Sequence, residues 1–332
     1  MQKKIVTIGG GTGSFVLLSG LRELAFDISA IVSMADDGGS TGRLRDELGV
    51  LPPGDIRQCL VALSEQPLIW RDLFNYRFET GDLKGHAVGN IFLSGLEKMK
   101  GDFSEGLDVA MKALNVHGKV IPVTKDNVNL HLALNNGKVL TGEAEINKNN
   151  SIERIGFEQI YLEPRAQANQ DAIKAIMKAD VVVVGPGNHY CSIVPNLLID
   201  EISRAIAKTK AKVVYVANLV NKKGHTENFS LNDYIDSINS FIGKERVDFA
   251  IFNVQKPSIE LKKRYEKRGE EILKLKKAVK GKEERHKVIT ANLLGKEEEY
   301  SKADKISHVR SLIRHDHKKL ARVIENIANL KD

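Results

Sequence analysis

The chain has 332 residues, 42% of them hydrophobic and 28% charged, with a net charge of +7. That length and balance suit an ordinary soluble globular protein of one large or two medium domains. No apolar run approaches the roughly 18 residues that span a bilayer, and the start MQKKIVTIGGG has too short an apolar stretch for a secretory signal. A cytoplasmic protein with no membrane partner is therefore expected.

The first predicted strand, IVTI, breaks into Gly9-Gly10-Gly11-Thr12-Gly13-Ser14 and then a helical pattern over Phe15–Leu24. Bare backbone N–H groups and the positive end of a helix at the carboxyl end of a strand make a phosphate cradle. The spacing departs from the G-x-G-x-x-G fingerprint because Ser14 stands where the third glycine belongs, and it lacks the Gly-Lys-Ser/Thr ending of a P-loop.

A second strand, ISAIVSM, leads into Asp36, Asp37, Gly38, Ser40, Thr41, Arg43 and Arg45. Two adjacent carboxylates there suit Mg²⁺, while the arginines and free N–H groups suit phosphate. A bare Asp-Gly turn with a helix cap accounts for one acid and one glycine, not for the whole cluster. Pro52-Pro53-Gly54-Asp55-Ile56-Arg57 then opens a helix over Gly54–Ser64, with Asp55 as N-cap or near-cap and Cys59 inside it. Gly85-His86-Ala87-Val88-Gly89-Asn90 is a further glycine-flanked loop, in which His86 is either an acid, base or phosphate donor or a satisfied core histidine.

Residues Val128–Ile146 alternate on both sides of Asn135-Asn136-Gly137, the signature of a hairpin, inserted at about 120–147. A third strand, VVVV, ends in Gly185-Pro186-Gly187-Asn188-His189-Tyr190-Cys191-Ser192, before a helix over Ile193–Lys208. The fourth, KVVYVANL, ends at Asn218, whose amide could read a base or sugar through its donor and acceptor. A fifth, VDFAIFNV, follows. Continuous apolar runs separated by helices predict parallel strands covered on both faces, in a doubly wound α/β sheet. The two cysteines cannot supply four metal ligands and give little reason for a disulfide; both are expected as buried small hydrophobes.

Beyond residue 254 the chain is expected to be helical and charged, with an extended piece at His286–Thr290 and a helical stripe over Lys305–Leu330. The expected division is a nucleotide-binding core over 1–254 and a helical, basic C-terminal region over 255–332 packed on it. Lys256–Lys287 carries 13 Lys and Arg against 6 Asp and Glu, which accounts for the whole positive surplus. With Tyr265 its one aromatic it lacks a stacking platform, so a solvated basic face is expected rather than a nucleic-acid partner. His315 and His317 are expected to face solvent.

The motifs IGGGTGSFVLLSGL, ADDGGSTGRLRDELGVLPPGDIRQCLVAL, GHAVGN, GPGNHYCSIVPNLL and VANLV, in this order from about Lys4 to Val254, resemble the gluconeogenesis-factor family of bacteria. That family is related to 2-phospho-L-lactate transferase of deazaflavin-cofactor synthesis. The resemblance implies a Rossmann-like fold. It also implies a nucleotide-sugar ligand, UDP-N-acetylglucosamine, and a role in cell shape and wall synthesis during gluconeogenic growth, with wall-synthesis proteins as partners. The transferase branch implies a guanosine nucleotide, a divalent metal and transfer of a phospholactyl group. The chain departs from the family pattern at Ala87, where a serine is expected, and at Asn188-His189, where Ser-Leu is expected; both lie on presumed ligand loops.

The expectation is a non-catalytic UDP-sugar-binding homo-oligomer without a resident cofactor. Gly10, Gly11, Thr12, Gly13, Asp37, Gly38, Ser40, Arg43, Gly89, Asn90, Gly185, Gly187, Asn188 and Asn218 are its ligand-binding candidates. The alternative is a Mg²⁺-dependent transferase in which Asp36 and Asp37 hold the metal and Arg43, Arg57 or His86 stabilise phosphate charge. An NAD-dependent oxidoreductase ranks third, because nothing marks a hydride acceptor site.

Overall fold

The computed structural model describes residues 2–275, 286–296 and 313–330. Among the described residues, ten strands form two sheets. Those of the large sheet are β1 (Lys3–Gly9), β2 (Phe26–Val32), β3 (Lys119–Pro122), β7 (Val181–Val184), β8 (Lys212–Val216), β9 (Phe249–Asn253) and β10 (Lys287–Ala291). Those of the small sheet are β4 (Asn129–Leu134), β5 (Val139–Thr141) and β6 (Phe157–Glu163).

The large sheet runs β10-β9-β8-β7-β1-β2-β3, parallel throughout. Its central strands are apolar on both sides, as VVVV in β7 shows, because helices cover both faces. The fold is thus the expected Rossmann-like, mainly parallel α/β sheet, and the piece expected at His286–Thr290 is its edge strand β10.

The helices before the hairpin are α1 (Gly11–Leu21), α2 (Gly39–Leu48), α3 (Pro53–Leu63), α4 (Leu68–Asn75), α5 (Val88–Lys100) and α6 (Phe103–Ala113). Those after it are α7 (Glu143–Lys148), α8 (Ile152–Ile155), α9 (Gln170–Lys178), α10 (Val194–Leu197), α11 (Asp200–Lys208), α12 (Leu231–Ile242), α13 (Ile259–Arg268) and α14 (His317–Ala328). Helix α1 packs against α3 and α14, while α9, α11 and α12 form a second layer. The hairpin around Asn135-Asn136-Gly137 is β4–β5, and β6 pairs antiparallel on its other side. This small sheet has its own apolar cluster, including Leu132, Leu140 and Ile160, which extends to Ala35 and Tyr190 of the main body.

Several local expectations need correction. The helix expected over Ile193–Lys208 is broken into a π turn at His189–Ile193, then α10 and α11. Pro195 cannot donate to the preceding turn, and the Asn196 amide instead donates to Ser192 O at 2.9 Å. The first helix begins at Gly11 rather than Phe15, so the glycine loop is itself the first helical turn. Asp55 does not cap α3, whose N-cap is Pro52. His315 is buried rather than solvent-facing, at 7% exposure, because its segment pairs with Leu294; His317 stays half exposed beside Glu23. Both cysteines are free and buried. Residues 276–285 of the basic segment and 305–312 of the C-terminal stripe lie outside the described residues.

Candidate functional site

Strand order reverses at β1 and β7, and both carboxyl ends there carry glycine turns. In open α/β sheets this switch point is where ligands bind. The two turns touch: a Cβ on Gly13 would lie 1.8 Å from Pro186 O, so no other residue fits there without parting the loops. After β8, Asn218 Oδ1 accepts from Gly187 N at 3.0 Å and its Nδ2 donates to Gly187 O at 2.9 Å.

Between these turns lies a cavity of about 540 Å³, within the range of small-molecule sites. Its walls include Gly10, Gly11, Thr12, Gly13, Gly187, Asn188 and Asn218 from the sequence candidates. It also takes in residues with no motif to flag them: Glu143 and Asn147 of α7, Lys222, Tyr265 and Arg268 of α13, and Arg314 and His315. Glu143 comes from the small sheet's helix and Arg314 from the C-terminal segment, so only the folded chain brings them to the glycine loop. The Arg268 guanidinium lies over the Tyr265 ring at 5.9 Å from its centroid.

Glu143 and Glu270 line the cavity, and further carboxylates are buried behind its glycine loop. A Cβ on Gly10 would meet Asp55 Oδ2 at 2.2 Å, which places the Asp55 carboxyl directly against the glycine loop. Burial, with the charge of Asp36 adding, pushes Asp55 up to about 7, while the Gly11 N–H opposes. Burial likewise raises Asp36, against a hydrogen bond from Gly38 N at 2.9 Å and another from Thr41. Glu143 is raised well above the usual carboxylate range by burial and then by Asp36, Asp55 and Asp37. Lys222, lowered by burial, donates to Asn147 O at 2.8 Å.

Asp36 and Asp37 do not converge. Asp36 turns back to Gly38 and Thr41, whereas Asp37 Oδ1 accepts from Ala144 N at 2.7 Å and so fastens α7 to the main body. Among the described residues no group of three or more His, Cys, Asp or Glu is placed to hold a metal ion. A Mg²⁺ ion there would take one or two carboxylates and complete its shell with ligand phosphate and water.

The remaining candidates form a separate network beside the cavity. Arg57 Nε donates to Asn90 Oδ1 at 2.8 Å, Asn90 Nδ2 to Ser40 Oγ at 3.1 Å, and Ser40 Oγ lies 3.0 Å from His86 Nδ1. Arg57 fixes the orientation of the Asn90 amide. With Asn90 donating to its oxygen, Ser40 keeps its proton free to donate to His86 Nδ1 when the neutral ring carries its hydrogen on Nε2. Burial, and then the charge of Arg43, lowers the His86 pKa and favours the neutral ring. Gly89 is here for packing, since a Cβ would meet Arg57 Cδ at 2.7 Å.

Arg43 is exposed and does not line the cavity; it donates to Lys84 O at 2.7 Å. Arg45 is committed inward to Asp36 O, Asn127, Val128 O and Asn129, which leaves it a brace for the small sheet rather than a phosphate ligand. Gly185 stands behind the turn, facing Ile8 O and Leu17.

The family described as 2-phospho-L-lactate transferase CofD matches residues 5–294. The chain is 41% identical over 269 residues to a "Gluconeogenesis factor" of Halalkalibacterium halodurans, covering 80% of this chain and 82% of that protein. It is 42% identical over 275 residues to a "Putative gluconeogenesis factor" of Clostridium acetobutylicum, covering 82% of this chain but only 61% of that longer protein. A crystal structure of a Bacillus halodurans protein superimposes with a TM-score of 0.87 at 35% identity, covering 98% of this chain and 100% of that one.

Proposed function

From the premise that this chain belongs to the CofD family, whose relatives above are named gluconeogenesis factors, we propose that it binds a nucleotide diphosphate sugar such as UDP-N-acetylglucosamine. What carries the reading is the cavity of about 540 Å³ whose one wall is the N-terminus of α1. The diphosphate lies over the N–H groups of Gly10–Gly13, where the helix dipole favours negative charge. Lys222 and Arg268 in the cavity lining supply positive charge beside Glu143 and Glu270, which also line it. The role is regulatory: occupancy reports precursor supply to partners in wall synthesis and cell shape during gluconeogenic growth.

One observation favours a second reading, a Mg²⁺-dependent transferase of the kind the family description names. Glu143 lines the cavity and Asp55 lies directly behind its glycine loop, so a metal shared with the diphosphate would neutralise carboxyl groups already at hand.

Calorimetric titration of UDP-N-acetylglucosamine, GDP and NAD⁺, with and without Mg²⁺, separates the readings. Micromolar UDP-sugar binding that survives chelation, with no product by phosphorus NMR, supports the binding protein. Tight GDP binding that requires Mg²⁺ overturns it in favour of the transferase, and NAD⁺ binding alone overturns both.

A further inference from the structure

The helix α4, LIWRDLFN, buries only Phe74. Its remaining apolar residues face solvent: Leu68 at 67%, Ile69 at 69%, Trp70 at 43% and Leu73 at 44% exposure. Tyr76 follows at 52%, and Phe92 of α5 continues the face through an edge contact with Phe74, ring centroids 5.2 Å apart. Isolated exposed leucines need no explanation, but six large apolar side chains on one short helix and its flank do.

Two properties fit a second copy of this chain. First, the segment is nearly balanced in charge: α4 itself carries Arg71 and Asp72, and residues 65–84 together carry four acids against three bases. An isologous contact sets a surface against itself, which a patch of one charge sign would resist. Second, the six side chains expose on the order of 600 Å², so two such faces approach the roughly 1,200 Å² at which specific interfaces begin.

We propose that α4, with Tyr76 and Phe92, is the self-association surface through which two copies of this chain pair. The same helix holds the candidate site from behind. Arg57 donates to Asn75 at the end of α4, and through Asn90 reaches Ser40 and His86. Pairing at α4 thus abuts the network beside the cavity without covering the cavity itself. The proposal does not depend on which ligand the cavity takes.

Trp70 is the only tryptophan of the chain, so its fluorescence reports on this face alone. Sedimentation of the full chain is expected to give twice 36.8 kDa at micromolar concentration, with Trp70 emission shifting to the blue as concentration rises. The double variant Ile69→Glu, Leu73→Glu changes exposed positions and should fold, with a native circular dichroism spectrum. It should weaken the dimer by on the order of 100-fold, since charge now meets charge at the centre of the contact. A wild-type chain that stays monomeric with a solvent-exposed Trp70 overturns the proposal and leaves the face to a different protein. A dimer that persists unchanged in the double variant overturns it in favour of another face.

Discussion

Asn218 clamps Gly187 with both ends of its side-chain amide, accepting from the Gly187 N–H at 3.0 Å and donating to the Gly187 carbonyl at 2.9 Å, and also bonds Tyr234. An amide so engaged positions the Gly-Pro-Gly turn, which makes Asn218 first a brace for the cavity wall it helps to line. Asn218→Asp keeps the acceptor but sets a carboxylate against a carbonyl, at a cost of about 1–3 kcal/mol. Stability in urea and affinity for the cavity's ligand should fall together. A loss of affinity at unchanged stability would return Asn218 to the role of a ligand contact.

The glycines of the two turns are not equivalent, although the sequence presents them alike. A Cβ on Gly13 would collide with Pro186 O at 1.8 Å, while one on Gly187 would meet nothing nearer than Ser192 Cβ at 3.5 Å. Gly13→Ala should part the loops and withdraw backbone donors from the phosphate, lowering affinity by on the order of 100-fold. Gly187→Ala should change affinity by no more than about threefold. Equal losses in the two variants, read by calorimetry, would mean that the close approach at Gly13 does not shape the site.

The sequence made the frame of this protein legible because the frame is local. Apolar runs such as VVVV mark parallel strands, Asn-Asn-Gly marks the hairpin, and glycines at strand ends mark the switch point. Glu143, Lys222 and Arg268 were not legible, because each reaches the cavity from an element whose docking no local pattern encodes. His315 misleads for the same reason: its neighbours RHDHKK read as a solvated tail, yet the segment pairs with Leu294 and is buried. Asp37 and Arg45 sit in a cluster that reads as a phosphate or metal site. Their partners, Ala144 and Asn127–Asn129, belong to the inserted small sheet and turn both residues into fasteners.

The chain of bonds from Arg57 through Asn90 to Ser40 and His86 should behave as one unit. Asn90→Ala removes the acceptor of Arg57 Nε and the donor to Ser40 at once, in a site where Asn90 is 2% exposed. A loss of about 2–4 kcal/mol is expected, against about 1–2 kcal/mol for Ser40→Ala. The double variant should cost less than the sum by about 0.5–1.5 kcal/mol, because Ser40→Ala removes a bond that Asn90→Ala has already broken. Additive losses in urea unfolding would show that the network is two independent contacts.

Asp55 should leave a pH signature that a single neutral substitution isolates. Its carboxyl is pushed from 3.8 up to about 7, by burial first and the Asp36 charge second. Between these values the folded protein holds a proton that the unfolded chain has released, so stability falls as pH rises through the window and levels off above about 7. The buried histidines His189, lowered to about 3, and His225 and His315, lowered to about 4, act in the opposite sense below 6.5. That contribution is common to wild type and variant and cancels in their difference, whereas Asp36 and Glu143, raised like Asp55, titrate with it, so the difference reports the carboxyl cluster that Asp55 completes. Asp55→Asn keeps an oxygen to accept from Gly11 N and removes the titration. Its stability relative to wild type should therefore climb from pH 5 to pH 8, and it should bind a diphosphate more tightly at the upper end, where the wild-type carboxylate opposes the ligand across the glycine loop. Urea unfolding at four pH values gives the test: parallel stability curves for the two proteins would mean that Asp55 ionises in the folded state as it does in water.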